Sequence, residues 1–259
     1  MFIFIVPLKS QKVSSDWSAF SKLVERSLKS ICNQTSDNFK VIVSCHELPE
    51  TNYKNDKITF HQVSFPPPEL KGLDNETARR TKEGDKANKI LEAIPIAKSF
   101  NPNYVMVVDS DDCINRKIVE HVEKNSNDAI PGWYFNKGYY YQEGKRYAFL
   151  NKGNFNKFCG SCIIIKASLL KEIFLEEPFL YYDHFSMKLP DGTPLNKFPL
   201  VGAMYSVGNG ENHLMSVQKA VSIAKSATKF WPSLRAKLKK YRIKLITPNF
   251  KKIYGFYRL

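Results

Sequence analysis

The sequence predicts an α/β fold, with a mostly parallel central sheet flanked by helices and a smaller antiparallel part after it. Short apolar runs alternate with stretches of helical period, the order that builds a parallel sheet. Those runs are continuously apolar, as suits strands covered on both faces. One of them, Tyr104-Val105-Met106-Val107-Val108, stops on Asp109-Ser110-Asp111-Asp112. Three carboxylates then sit at a sheet's carboxyl edge, where open α/β sheets bind ligands.

Taken in order, residues 2–8 form the first buried strand. Residues 16–33 follow as a helix, with Trp17, Phe20, Leu23, Val24, Leu28 and Ile31 at helical spacing and Asp16 placed to cap it. Residues 39–45 are a second strand and 58–63 a weaker third. Beyond the loop Phe65-Pro66-Pro67-Pro68, a helix is expected over residues 85–100, leading into the 104–108 strand. Another helix should begin near Asn115, and the last acid of the cluster is placed to cap it. Between Trp133 and Phe149 the chain is aromatic and punctuated by glycine, as in antiparallel strands with a half-exposed face. Cross-strand packing accounts for most of these rings, and aromatic faces also stack on sugars. Residues 201–207 form a later strand, followed by the polar loop Gly208-Asn209-Gly210-Glu211-Asn212-His213, whose glycines permit the turns of a ligand-closing segment.

The chain has 259 residues and a net charge of +14, but the charge is uneven. Residues 219–259 hold twelve Lys and Arg and no Asp or Glu, which leaves 27 basic against 25 acidic groups elsewhere. The basicity therefore belongs to one tail. No apolar stretch approaches the roughly eighteen residues that span a bilayer, and the run at residues 1–8 lacks a charged leader, so a cytoplasmic protein is expected. Five cysteines are an odd number and argue against a disulfide framework. Cys159-Gly160-Ser161-Cys162 has the spacing of a metal or redox pair, but no second pair answers it and it leads into Ile163-Ile164-Ile165; buried, reduced thiols are expected. The first glycine is Gly72. Neither early strand-to-helix turn can therefore be a dinucleotide fingerprint or a P-loop, because both need glycine where backbone meets phosphate.

Three acids in four residues repel one another unless a cation or hydrogen bonds neutralise them. A divalent metal bridging to a diphosphate does this; an acidic turn is the alternative reading, although a turn gains nothing from a third Asp.

Four pieces in order resemble the family 2 type of GT-A nucleotide-sugar glycosyltransferase. They are the opening strand ending in Val6-Pro7-Leu8; the helix end Leu28-Lys29-Ser30-Ile31-Cys32-Asn33-Gln34-Thr35; Phe39-Lys40-Val41-Ile42-Val43; and Val107-Val108-Asp109-Ser110-Asp111-Asp112, which is similar to the family's DXD-bearing strand end. The resemblance covers roughly residues 2–214. It implies a GT-A domain over 1–214, divided into a nucleotide-sugar half (1–112) and an acceptor half (113–214); the charge run and the helical spacing over 217–230 make 215–259 a basic, helical C-terminal tail.

The resemblance further implies that Pro7, Leu8, Lys86 and Asp109 contact the nucleotide, Asp109 either at the ribose or by sharing the metal. Asp111, Asp112 and His213 would hold Mn²⁺ or Mg²⁺ on the diphosphate of a nucleoside-diphosphate sugar. Asp183, in Leu180-Tyr181-Tyr182-Asp183-His184, stands where the family starts a helix with its general base, but Tyr182 replaces the usual Glu; Glu211 and His184 are the alternatives. For Lys86 an exposed helix lysine, for Asp183 a helix cap and for His213 an ordinary loop histidine are the competing readings. The implied reaction moves a sugar to a hydroxyl of a glycan or lipid-linked acceptor, with inversion. Sugar-1-phosphate nucleotidyltransferases share the architecture but carry a glycine-rich basic loop where this chain has Leu8-Lys9-Ser10-Gln11. The rival from another class is a non-catalytic module binding a nucleotide sugar or, through its tail, nucleic acid. Lysines interleaved with aromatics also suit an anionic membrane surface, which would make the protein peripheral at the inner face of a membrane through the 219–259 tail.

Overall fold

The computed structural model describes residues 1–175, 180–208 and 241–259. The strands are β1 (Phe2–Pro7), β2 (Phe39–Cys45), β3 (Ile58–Gln62), β4 (Tyr104–Val107), β5 (Cys113–Ile114), β6 (Gly132–Tyr134), β7 (Gly138–Gln142), β8 (Tyr147–Asn151), β9 (Ile163–Lys166), β10 (Phe174–Leu175), β11 (Tyr181–Tyr182), β12 (Asn196–Lys197), β13 (Ala203–Val207) and β14 (Tyr241–Leu245). The α-helices are α1 (Trp17–Ile31), α2 (Asn75–Ser99), α3 (Ile118–Asn125) and α4 (Pro248–Tyr254).

A seven-stranded sheet runs β12-β6-β9-β4-β1-β2-β3. Its core, β4-β1-β2-β3, is parallel, with Phe2 opposite both Phe39 and Tyr104. Strands β1 and β4 are buried along their whole lengths, as their unbroken apolar sequence requires. Helix α1 covers this sheet through Phe20, Val24, Leu28 and Ile31, and its N-terminus is capped by Asp16, whose carboxylate accepts from the Ala19 amide at 2.9 Å. A second, mainly antiparallel sheet of five strands runs β14-β8-β7-β13-β5, with β7 and β13 parallel. A mostly parallel sheet flanked by helices, with a smaller antiparallel sheet beside it, is thus the observed arrangement.

Three elements differ from expectation. Helix α2 begins ten residues earlier than its apolar period shows, at Asn75 behind the Asp74 cap. Its first turns bury almost nothing, and charge pairs hold them: Arg79 to Glu76 and Glu83, and Arg80 to Glu76, each at 2.8 Å. No helix follows Asp183. Its carboxylate instead accepts from the Phe185 amide at 2.7 Å and closes a turn. Within the tail expected to be helical, residues 241–245 are a strand paired with β8, and α4 packs Phe250 and Tyr254, with Phe256 beyond it, against Tyr139, Tyr141 and Met204 in a second buried cluster. Residues 209–240 lie outside the described part of the chain.

Candidate active site

Strands β1 and β4 end side by side, and the segments that leave them form the floor of a cleft. Pro7, Leu8 and Lys9 come from the first, Asp109, Ser110 and Asp111 from the second. Helix α2 forms one wall with Lys82, Glu83, Asp85 and Lys86, residues brought to one side by helical spacing. Phe158, Gly160, Tyr182, His184 and Tyr205 complete the lining. Five residues expected at the site, Pro7, Leu8, Lys86, Asp109 and Asp111, therefore meet in one place.

Lys86 donates to Asp109 Oδ1 in a charge-assisted contact. Burial opposes the lysine's charge, but Asp109 and, with it, Asp112 outweigh that penalty and hold the pKa above the ordinary lysine value. Gly160 lies against this pair: a Cβ there would stand 2.8 Å from Asp109 Oδ2 and 3.0 Å from Lys86 Nζ. The Asp109 amide donates to Ser161 Oγ at 2.8 Å, and the same hydroxyl donates to Asp112 Oδ2 at 2.7 Å. The Gly160-Ser161 step thus sets the position of two of the three acids.

Asp112 differs from its neighbours. It is fully buried, does not line the cleft, and accepts from Ser161, from Cys159 Sγ at 3.2 Å and from the Ser206 amide at 3.3 Å. Burial, then the charges of Asp111 and Asp109, raise its pKa well above the usual carboxylate range. The expectation that it shares a metal with Asp111 does not fit this setting. A side chain enclosed by protein donors is a support for the acidic turn.

Asp183 is half-buried and lies between two cleft-lining residues without lining the cleft itself. His184 does line it. Its Nδ1–H donates to the Asn156 carbonyl at 2.7 Å, which places the unprotonated nitrogen at Nε2, and burial lowers its pKa. Glu211 and His213 lie outside the described residues. Cys159 and Cys162 are buried free thiols whose pKa values are pushed well up, chiefly by burial.

Sequence reasoning missed Lys9 and Lys82. Lys9 packs its ammonium 4.6 Å from the Phe20 ring centre, and burial lowers its pKa to about 8 against the pull of Asp111. Their signal is faint but present: Lys9 directly follows Pro7-Leu8, and Lys82 precedes Lys86 by one helical turn. Among the described residues no cluster of three His, Cys, Asp or Glu is arranged to hold a metal ion. Of the three strand-end acids, Asp109 and Asp111 line the cleft, with Glu83 and Asp85 of α2 also on its lining. That donor set suits an ion completed by water and by phosphate oxygens of a ligand, the habit of Mg²⁺.

No family model matches the chain, and no curated protein matches it. Among solved structures it is similar to residues 1–349 of S. aureus TarS, with a TM-score of 0.47 and 15% identity over 79% of this chain and 60% of that one. It is also similar to the bifunctional IspDF of Campylobacter jejuni, with a TM-score of 0.40 and 12% identity over 86% of this chain and 53% of that one. A third similarity is to the 2-C-methyl-D-erythritol 4-phosphate cytidylyltransferase of Francisella tularensis, with a TM-score of 0.41 and 10% identity over 87% of this chain and 98% of that one. The chain thus spans little more than half of the first two. Each is a partial likeness of chain path at low identity.

Proposed function

We propose that the cleft binds a nucleoside-diphosphate sugar and transfers the sugar to a hydroxyl of a glycan or lipid-linked acceptor. The observation that carries this reading is the meeting of Asp109 and Asp111 with Lys9, Lys82 and Lys86 at the carboxyl ends of β1 and β4. Acids and ammonium groups facing one space suit a ligand that is itself anionic and metal-bridged. Pro7 and Leu8 offer an apolar wall to the base, and Asp109, held by Lys86, a hydrogen-bond acceptor to the ribose.

Asp111, with Asp109, would hold a Mg²⁺ or Mn²⁺ ion, which supplies Lewis-acid stabilisation of the diphosphate when bound. The lysines add fixed positive charge where negative charge grows as the sugar leaves. In the reaction the acceptor oxygen forms a bond to the anomeric carbon while the bond to the diphosphate breaks, and the electron pair leaves with the diphosphate. The acceptor's proton needs a base. His184 suits that role better than Asp183, because it lines the cleft as a neutral imidazole while the Asp183 carboxylate closes its own turn. Inversion of configuration rests on the family resemblance.

The test is a thermal-shift and calorimetric screen of nucleoside-diphosphate sugars with and without Mn²⁺. The expected result is metal-dependent stabilisation by one donor class, followed by sugar transfer or slow hydrolysis of that donor. A protein that binds none of them, or binds them unchanged in excess chelator, overturns the proposal.

A further inference from the structure

Helix α2 has a glycine, Gly84, in its interior. A glycine there costs helix stability relative to alanine, because it gives up more backbone freedom when the helix forms. Space does not explain it. Among the described residues, a Cβ on Gly84 would meet the Leu180 carbonyl oxygen at 4.0 Å and nothing nearer, an ordinary contact. Nor does Gly84 line the cleft, although Glu83, Asp85 and Lys86 beside it do. What an alanine would remove is backbone freedom at this point of the helix.

The two parts that Gly84 joins are held differently. Beyond it, Asp85 is pinned by His46 Nε2 at 2.8 Å and by the buried Lys89 at 2.7 Å, Lys86 is bound to Asp109, and Ala87, Ile90, Ala93, Ile94 and Ala97 enter the core. Before it, residues 75–83 include no buried residue. Several bonds knit this segment to itself. Thr77 Oγ1 donates to the Asp74 cap at 2.7 Å and Thr81 Oγ1 to the Thr77 carbonyl at 2.9 Å, beside the pairs of Arg79 with Glu76 and Glu83 and of Arg80 with Glu76. A segment so braced keeps its shape when it turns as a unit. It brings Lys82 and Glu83 to the cleft. Lys82 lies close enough to Lys9 of the floor for its charge to help lower the Lys9 pKa. Two ammonium groups repel each other, and an anion between them turns that repulsion into a shared attraction.

We infer that residues 75–83 are a lid hinged at Gly84, which closes on the diphosphate of the donor as Lys82 and Lys9 take hold of it together. The inference rests on the donor reading above for what fills the cleft; the pivot itself rests on α2. A ligand shifts such an equilibrium only through contacts it makes better in one state, and the second lysine is that difference.

The experiment is amide-resolved hydrogen exchange of the full chain with Mg²⁺ alone and with Mg²⁺ plus inorganic pyrophosphate, the anionic part of the donor without base or sugar. Intrahelical bonds from amides 84–87 reach carbonyls 80–83 across the pivot, whereas those from amides 79–83 lie within the lid. A hinge therefore gives faster exchange at 84–87 than at 79–83, and simple fraying from Asn75 gives the reverse. Pyrophosphate should slow exchange at 84–87 by about fivefold or more, and Lys82→Met should abolish that protection. Gly84→Ala should raise the melting temperature by about 2 °C and slow exchange at 84–87 about fivefold with no anion present. Exchange that falls off steadily from Asn75, a Gly84→Ala protein that melts lower, or protection that survives Lys82→Met would each overturn the hinge. So would the lack of any protection by pyrophosphate. A nucleotide sugar that binds while exchange at 84–87 stays unchanged would remove the lid and leave the donor reading standing.

Discussion

Asp112 and Asp111 are adjacent in sequence and opposite in environment. In the folded protein the Asp112 proton is held more tightly than in the unfolded chain, so stability from this group is full below pH ~4 and declines as pH rises above it. Asp112→Asn keeps the shape without the charge. Its melting temperature, compared with wild type from pH 4 to 7, should gain steadily on the wild type, while donor affinity changes little. Asp111→Asn should instead lose donor affinity by about tenfold or more without a change in melting temperature, read by calorimetry. The pair of results separates a buried support from a ligand-facing acid. His184→Gln should slow transfer by about 10²-fold or more with donor affinity kept, and Asp183→Asn should stay close to wild type. Because burial lowers the His184 pKa, the wild-type rate should rise with pH through a value below 6.5 and level off by neutrality. A reversed pattern, with Asp183→Asn inactive, moves the base to Asp183. Lys9 adds the opposite limb: its ammonium is lost above pH about 8, so donor affinity should fall there, and Lys9→Met should remove that fall. At this scale the strand-end acids were readable, because an apolar run ending in Asp fixes where carboxylates lie. Burial within the turn was not readable, since it depends on Ser161 and Cys159, about fifty residues further on.

At the scale of elements, the Gly160-Ser161 step and α2 meet at the Lys86–Asp109 pair of the cleft. Gly160→Ala puts a methyl group against the Asp109–Lys86 pair, and both partners are side-chain ends that can move. The fold should survive, and donor affinity should drop by about tenfold in the same calorimetric assay. Strands β1, β2 and β4 were legible from their unbroken apolar runs, and α1 from its period and Asp16 cap. The first turns of α2 were not, because Asn75 to Gly84 show no apolar period; ion pairs and the Asp74 cap stabilise them instead. Strand β14 had a period-2 signal in Arg242-Ile243-Lys244-Leu245, but its partner β8 lies almost a hundred residues earlier, beyond the reach of local pattern.

For the whole molecule, the second buried cluster ties residues 241–259 to the five-stranded sheet. Arg26 of α1, fully buried, reaches the same region through Glu143 and through Ser206 at 3.2 Å. Removing residues 241–259 would strip Phe250, Tyr254 and Phe256 from Tyr139, Tyr141 and Met204. The truncated chain should melt lower by about 10 °C or more, or fail to stay soluble, as read by calorimetry and by yield. No described helix is long and apolar enough to cross a membrane.

The clasp between α1 and α4 also bears on when the protein becomes itself. Ser30 Oγ donates to the Tyr254 carbonyl at 2.5 Å and Asn33 Nδ2 to the Lys252 carbonyl at 2.9 Å, pairs separated by 224 and 219 residues. Contacts of such separation form slowly, since a large loop must close before they give anything back. On the ribosome, β1, β2, β3 and β4 can assemble while the rest is still being made. The far wall of the second core waits until Phe256 has left the exit tunnel. A newborn chain therefore passes through an interval with the parallel strands of its first sheet built and Tyr139, Tyr141 and Met204 still uncovered, and that interval is when it most needs a chaperone.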